Sequence, residues 1–324
     1  MITTRFTELV GCTIPIQQAG MGAVAPPELA AAVSEAGGLG MLGTAHPGLT
    51  AASLAQQLKR LRALTAKPFG VNFIVAPQVR KHLDLDCVEI AARAARVVEF
   101  FYAEPDRAFV EMVHRGGALV SWQVGSKREA IAAAGAGCDL IVAQGVEAGG
   151  HVRGTISTLV LLTEVIGSVN VPVLAAGGIG TGRAMAAALA AGADGVRVGT
   201  RFLAATEAAA HPEYVAALMA SQAEDTIYTT AFSRGFRDAP HRVLRSCVTA
   251  VEACQGDTVG ETTALDGTRI LAPRYMAFGV DKTATGMIGA MSLFAGESVG
   301  AVKRVEPAAE ILRMLIDEYA RQRR

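Results

Sequence analysis

The sequence has few charged residues, and its charges balance. Only 19% of the 324 residues are Asp, Glu, Lys or Arg, and the basic and acidic groups number 30 each. Because nucleic-acid-binding proteins normally carry a basic excess or stripe, the balance argues against a nucleic-acid partner. Since 51% of the residues are hydrophobic, the low charge indicates a large buried core rather than disorder.

Cysteines are few, and long apolar runs are missing. The five cysteines lie far apart and form no C-x-x-C pair, so neither a zinc site nor a disulfide framework is expected. No stretch reaches the roughly 18 apolar residues of a membrane span, and the first six residues lack the apolar region of a secretory signal. We therefore expect a cytoplasmic protein without a metal or a membrane partner. Separately, we expect a monomer or a homodimer.

Short apolar runs alternate with alanine-rich amphipathic stretches. The runs predict strands at 14–19, 39–43, 69–74, 97–101, 118–123, 139–143, 172–176 and 194–198, with helices such as 27–36, 50–65, 126–135 and 181–191. A glycine that ends a helix just before an apolar strand recurs in 36–43, 116–121, 136–142 and 191–198. Parallel strands need crossover helices, so residues 1–223 are predicted to form a (βα)8 TIM barrel of the α/β class.

The pattern changes after residue 223. Residues 224–305 lack the repeated helix-to-strand junction and contain the turn signal Asp266-Gly267. The segment is too long for an ordinary loop, so we predict an inserted lid or subdomain that caps the substrate. Residues 306–324 are predicted to form a C-terminal helix.

One glycine motif is misleading. Residues 38–43 match G-x-G-x-x-G, the fingerprint of dinucleotide-binding proteins. That fingerprint requires the glycines to follow a strand and to open a helix. Here they follow a predicted helix and enter a strand, so we reject the motif.

Glycine-rich turns follow the last two predicted strands. In a (βα)8 barrel, the active site lies at the C-terminal ends of the strands. Ala176, Gly177 and Gly178 follow one strand, and Gly199 and Thr200 follow the next. Two such turns side by side form the phosphate-binding corner of many barrels. The alternative is that these glycines only make tight turns.

The most unusual stretch is the run 144–154, directly after the sixth predicted strand. Its glycines flank His151 and let the backbone approach a flat ligand closely. Histidine titrates near neutrality, which suits a general base for a weakly acidic carbon. The alternative is a histidine that satisfies local backbone groups. We interpret Glu147 as a structural hydrogen-bond partner and the other five histidines as structural, including His241 in the predicted lid.

Three further strand ends carry polar or small residues. Gln18 to Gly22 end the first predicted strand, Asn72 lies in the third, and Gln123 ends the fifth. Amide side chains both donate and accept hydrogen bonds, as does the pyrimidine edge of a flavin. Together with the phosphate corner, these residues predict a site for a flat phosphorylated cofactor.

These residues resemble a known family. The chain is similar to the FMN-dependent nitronate monooxygenases, formerly called 2-nitropropane dioxygenases, which include the flavin enoyl-ACP reductases of the same fold. The matching stretches are Pro15–Gly22, Pro68–Asn72, Glu147–His151, Ala176–Gly180, Gly199–Phe202 and Ala295–Gly300.

The resemblance implies a TIM barrel that holds FMN non-covalently and without metal. It places Gly20, Met21, Gly22, Asn72 and Gln123 around the isoalloxazine ring, and Gly177, Gly178, Gly199 and Thr200 at the phosphate. His151 would face the flavin and take a proton from the carbon that bears a nitro group. We also expect cofactor contacts from Gln144, Gly149, Gly150 and Ala176.

The expected function is oxidation of alkyl nitronates, and of nitroalkanes, with O₂ to a carbonyl compound and nitrite. One alternative is an NAD(P)H-dependent flavin reductase that acts on a quinone or an enoyl thioester. Another is a non-catalytic barrel that binds a phosphorylated ligand.

Overall fold

Eight parallel strands form a barrel. The structure, a computed structural model, describes residues 2–76 and 83–322; His82 lies outside these ranges. The barrel strands are β1 (Ile16–Gln18), β2 (Gly40–Gly43), β3 (Phe69–Ile74), β4 (Val97–Phe101), β5 (Leu119–Val124), β6 (Leu140–Gln144), β8 (Val173–Ala176) and β9 (Gly195–Val198), with a two-residue strand β7 (Gly150–His151) outside the barrel. They pair in the order β1-β9-β8-β6-β5-β4-β3-β2. A parallel bridge between Gln17 and Leu39 joins β1 to β2 and closes the sheet, which confirms the predicted TIM barrel.

Helices connect the strands and cover the barrel. They span Arg5–Val10, Pro27–Glu35, Ala51–Leu64, Leu85–Ala94, Arg107–Gly116, Lys127–Ala136, Thr158–Ile166, Gly182–Ala190, Pro212–Met219, Arg245–Ala253 and Ala308–Gln322. The bounds predicted from the sequence differ from these by at most two residues, because side-chain caps such as Thr50, Ser126 and Thr181 mark the helix starts. Within the described ranges, no helix has the length and apolar character needed to cross a membrane.

The repeated helix-to-strand junction depends on glycine. Gly37, Gly117, Gly137 and Gly192 each follow a helix with a φ between 91° and 102°. Only glycine adopts this left-handed conformation without steric cost, so it ends the helix and turns the chain into the next strand. The predicted junction is confirmed at all four places.

Strand side chains alternate between two apolar cores. Val97, Leu140 and Leu174 lie inside the barrel with Phe6 of the first helix. Their neighbours, such as Val98, face outward and pack against the helices. This two-residue period explains why the strands are almost continuously hydrophobic, since both faces of a barrel strand are buried.

Two small antiparallel sheets cover one end of the barrel. One consists of β10 (Thr226–Thr229), β11 (His241–Leu244) and β7, and the other of β12 (Thr258–Thr263), β13 (Arg269–Pro273) and β14 (Thr285–Gly286). The predicted turn at Asp266-Gly267 connects β12 to β13, with Gly267 at φ 86°. These sheets surround a second apolar core, whereas Leu312 and Leu315 of the last helix pack into the outer core of the barrel. Residues after β9 thus form an insertion before the final barrel helix.

Candidate active site

The predicted site residues follow the strands at a single face of the barrel. Gly20 to Gly22 follow β1, Gln144 ends β6, Ala176 to Gly178 end and follow β8, and Gly199 and Thr200 follow β9. Asn72 and Gln123 lie within the C-terminal halves of β3 and β5. Because parallel barrel strands all end at the same face, the fold brings these positions together.

Two charged side chains lie inside the barrel beneath this face. Glu99 of β4 and Arg197 of β9 form an ion pair, and their side chains are 0% and 6% exposed. Ser121 Oγ donates to Glu99 Oε2 at 3.3 Å, and Arg197 Nε donates to Gln17 Oε1 at 3.1 Å. Buried charges need such partners. This pair was not predicted, although a single charge within each of two otherwise apolar strands was a usable signal.

The ion pair determines how two amide side chains are oriented. Asn72 Nδ2 donates to Glu99 Oε1 at 2.8 Å, and Gln123 Oε1 accepts from the Arg197 guanidinium. An amide has one donor end and one acceptor end. The opposite ends, Oδ1 of Asn72 and Nε2 of Gln123, therefore offer a ligand one acceptor and one donor. This pair of groups matches the pyrimidine edge predicted for a flavin.

His151 is positioned by pairing between β7, in the loop after β6, and β11, in the insertion after β9. In the antiparallel ladder of β7 and β11, His151 stands opposite His241, with ring centroids 5.6 Å apart. The ring of Phe236 lies 4.3 Å from His151, that of Phe294 at 5.5 Å and that of Tyr102 at 5.7 Å. We call these four rings around His151 the aromatic enclosure.

Two buried polar atoms, one on His151 and one on the neighbouring Gln144, have no hydrogen-bond partner among the described residues. They are Nε2 of His151 and Oε1 of Gln144. The other end of the Gln144 amide donates to the His151 carbonyl at 3.0 Å, which fixes the direction in which Oε1 points. Because buried polar groups in proteins are nearly always paired, these atoms indicate contacts with a bound ligand. They fit a polar heterocycle such as a flavin or its substrate.

His151 is neutral in this environment. Burial, with a smaller contribution from neighbouring His241, lowers the pKa of His151 to about 3. Burial removes the imidazolium from water and so disfavours the charged form. The aromatic enclosure provides no carboxylate to offset this effect. At neutral pH, His151 is therefore already in its unprotonated form.

His241 is held in one neutral tautomer. The backbone N–H of Phe232 donates to His241 Nε2 at 3.2 Å, so this nitrogen must accept. Nδ1 then carries the proton and donates to the Ala239 carbonyl at 3.0 Å. Burial lowers the pKa of His241, although the hydrogen bond to Ala239 opposes the shift. These contacts agree with the structural interpretation of His241, whose ring also forms one wall of the aromatic enclosure.

The glycine turns after β8 and β9 pack against two other loops. Gly177 and Gly178 have φ values of 112° and 68°, which favour glycine. The backbone N–H of Gly296 donates to Thr200 Oγ1 at 3.0 Å. A Cβ on Gly149 would lie 2.5 Å from the nitrogen of Gly296. The segment Ala295–Gly300 therefore sits backbone to backbone against the His151 loop, beside the predicted phosphate corner.

Glu147 has the structural role expected from the sequence. Its carboxylate accepts hydrogen bonds from the backbone N–H of Thr158 at 2.9 Å and from the Thr158 hydroxyl at 2.8 Å. The same hydroxyl lies 3.1 Å from the Gly177 carbonyl. Glu147 thus connects the His151 loop to the turn after β8.

Comparison with known proteins identifies the family. The family model of nitronate monooxygenase matches residues 3–318. The chain belongs to the nitronate monooxygenase family. Members of this family are flavin-dependent oxidoreductases, so the chain is an enzyme rather than a non-catalytic barrel.

The family contains relatives with different activities. A nitronate monooxygenase from Pseudomonas aeruginosa is 33% identical over 98% of this chain and 99% of its own length. The (3aS,4S,5R,7aS)-5-hydroxy-7a-methyl-1-oxo-octahydro-1H-indene-4-carboxyl-CoA dehydrogenase from Rhodococcus jostii is 38% identical over 76% of this chain, and the match spans just under two thirds (66%) of that relative. The solved structure of FabK from Thermotoga maritima superimposes with a TM-score of 0.80 at 32% identity, covering 99% of this chain and 97% of that one.

Proposed function

We propose that the chain binds FMN and oxidises alkyl nitronates with O₂, giving a carbonyl compound and nitrite. The full-length similarity to a nitronate monooxygenase supports this reaction. The observation that carries it is the buried Nε2 of neutral His151 within the aromatic enclosure, an atom that has no hydrogen-bond partner among the described residues. This arrangement suits a small substrate with one polar group.

Two groups of residues at the barrel face would contact different parts of the cofactor. The flavin ring would contact Gly20, Met21, Gly22, Asn72, Gln123, Gln144, Gly149 and Gly150, and the phosphate would contact Ala176, Gly177, Gly178, Gly199 and Thr200. When bound, the flavin would accept electrons from the substrate and pass them to O₂. The protein would supply binding, orientation and the exclusion of water.

His151 favours a substrate that is already an anion. A histidine whose pKa is near 3 is a weak base, because general bases work best when their pKa lies near the working pH. A nitronate has already lost its α-proton and needs no base. A neutral nitroalkane would have to give this proton to Nε2 of His151. We therefore expect nitronates to be the better substrates.

The second candidate is an NAD(P)H-dependent flavin reductase or dehydrogenase that acts on an acyl thioester. The CoA-linked relative from Rhodococcus jostii supports it. Neither the reductase nor the dehydrogenase activity requires a separate dinucleotide-binding domain in the chain.

One experiment separates the two candidates. Purified protein with bound flavin is mixed anaerobically with NADH, NADPH or propionate 3-nitronate, and the visible flavin absorbance is followed. The proposal expects reduction by the nitronate, nitrite release once air is admitted, and no rapid reaction with either nicotinamide. Rapid loss of absorbance with NADH or NADPH, without reaction of the nitronate, would instead establish the reductase.

A further inference from the structure

An open cavity of about 480 Å³ lies in the lid, outside the aromatic enclosure. It is formed between the segment that follows β10 and the end of β13. Its lining residues are Ala231, Ser233, Arg234, Asp257, Arg274 and Tyr275. The volume falls within the roughly 300–1,000 Å³ of small-molecule sites.

Two arginines line this cavity, and Arg234 is the one that offers it free hydrogen-bond donors. Arg234 is exposed, and no described residue pairs with its side chain. Arg274 donates from Nη2 to the Val251 carbonyl at 2.9 Å and from Nη1 to the Gly256 carbonyl at 3.3 Å. These bonds hold the guanidinium in place, while its buried Nε has no partner within the described residues.

The balance of charge in the cavity favours an anion. The two guanidinium groups exceed the one carboxylate, Asp257, which is exposed to water. Hydroxyl groups of Ser233 and Tyr275 add neutral donors. Several donors around a net positive charge are complementary to a phosphate, whose oxygens accept several hydrogen bonds at once.

The walls of the cavity also reach the aromatic enclosure. The backbone N–H of Arg234 donates to the Tyr275 carbonyl at 2.9 Å, which joins the two walls. Two residues further on, the ring of Phe236 packs against His151. The short segment from Arg234 to Phe236 therefore connects the cavity wall to the ring that packs on His151.

Backbone strain is concentrated around the same walls. Among the described residues, the non-glycine positions with positive φ are Tyr102 at 72°, Asp238 at 54° and Tyr275 at 63°. Tyr102 lies in the enclosure, Tyr275 lines the cavity, and Asp238 follows Phe236 by two residues. Such strained residues cluster at ligand clamps because the surrounding structure must hold them.

We propose that this cavity binds the ribose phosphate of an adenine nucleotide whose other end reaches His151. Two co-substrates share this chemistry, since coenzyme A carries a phosphate on its ribose and NADP(H) carries one on its adenosine ribose. The inference rests on the proposed function in one respect, because the reactive end of the ligand would enter the same aromatic enclosure. It extends the substrates beyond simple nitronates.

Calorimetric titration of the flavin-loaded protein tests the phosphate contact directly. The probes are two matched pairs, coenzyme A with dephospho-coenzyme A and NADP⁺ with NAD⁺. We expect the phosphorylated member of at least one pair to bind about tenfold tighter, as expected for a hydrogen bond to a charged group. Arg234→Ala should remove that preference. Arg269→Ala, which removes an equal charge from another exposed position in the lid, should leave it unchanged.

The outcomes distinguish the sources and the two proposals. A preference in the coenzyme A pair alone identifies an acyl thioester, and one in the NADP⁺ pair alone identifies a pyridine nucleotide. No preference in either pair, or one that survives Arg234→Ala, overturns the inference. Turnover of propionate 3-nitronate by Arg234→Ala should equal that of the parent protein. Nitronate oxidation without a phosphate preference refutes only the proposal for the cavity. A phosphate preference without nitronate oxidation refutes only the proposed function.

Discussion

Glu99 and Arg197 form a buried ion pair that joins β4 to β9 across the interior of the barrel. Neither strand neighbours the other in the sheet, so the contact exists only because the barrel is closed. Through Asn72 and Gln123, the pair also determines which amide ends face the candidate flavin site. The buried ion pair thus depends on the closed barrel and also orients two amide side chains of the candidate active site.

Removing one member of this pair should destabilise the protein strongly. Glu99→Gln and Arg197→Met each leave a buried charge without its partner, which costs about 3–5 kcal/mol. The double variant should lose less than the sum of the single losses, because it leaves neither charge unpaired. Urea unfolding of the parent protein, the two single variants and the double variant measures the coupling energy between Glu99 and Arg197. Arg313→Met, at an exposed ion pair, should cause no measurable loss. Strictly additive losses would contradict the coupling.

Much of the fold could be predicted because its signals are local. Apolar runs, caps and junction glycines specify strands and helices within a few residues of sequence, and the barrel then places the strand ends together. The aromatic enclosure could not be predicted in this way. Tyr102, Phe236 and Phe294 come from three distant segments, and they meet around His151 only in the folded chain. A two-residue strand such as β7 is too short to produce a periodic pattern in the sequence.

Buried neutral histidines should make the protein less stable in acid. The pKa of His151 is about 3 in the folded protein and about 6.5 in an unfolded chain, and burial also lowers the pKa values of His46 and His241. Between these values the unfolded chain binds more protons, so the free energy of unfolding falls as the pH decreases from 6.5 toward 3. Each histidine contributes a slope of at most about 1.4 kcal/mol per pH unit.

Urea unfolding at several pH values between 7 and 4.5 measures this slope. His151→Leu removes one titrating group and should show a shallower decline than the parent protein. Comparison of the two proteins cancels the contribution of the carboxylates. Identical slopes would mean that His151 is not held neutral by burial.

Two glycine-to-alanine substitutions should have opposite effects. A Cβ at Gly149 would lie 2.5 Å from the nitrogen of Gly296 and 2.7 Å from the carbonyl carbon of Ala295, so the two loops must separate. We expect Gly149→Ala to cost about 1–3 kcal/mol and to weaken FMN binding. Gly135 lies in a helix with nothing within 4 Å of such a Cβ, so Gly135→Ala should stabilise by about 0.5–1 kcal/mol. Fluorescence titration of the apoprotein with FMN would contradict the first expectation if Gly149→Ala bound normally.

His151→Asn should separate two classes of substrate. Oxidation of a neutral nitroalkane requires proton removal, and loss of a general base typically costs 10²–10⁴-fold in rate. We therefore expect kcat/KM for nitroethane to fall by about 100-fold or more, and that for preformed ethyl nitronate by less than about tenfold. His211→Asn is the matched control, because His211 caps a helix outside the enclosure and asparagine is an equally good cap. Equal losses on both substrates, with the flavin spectrum intact, would exclude proton abstraction by His151.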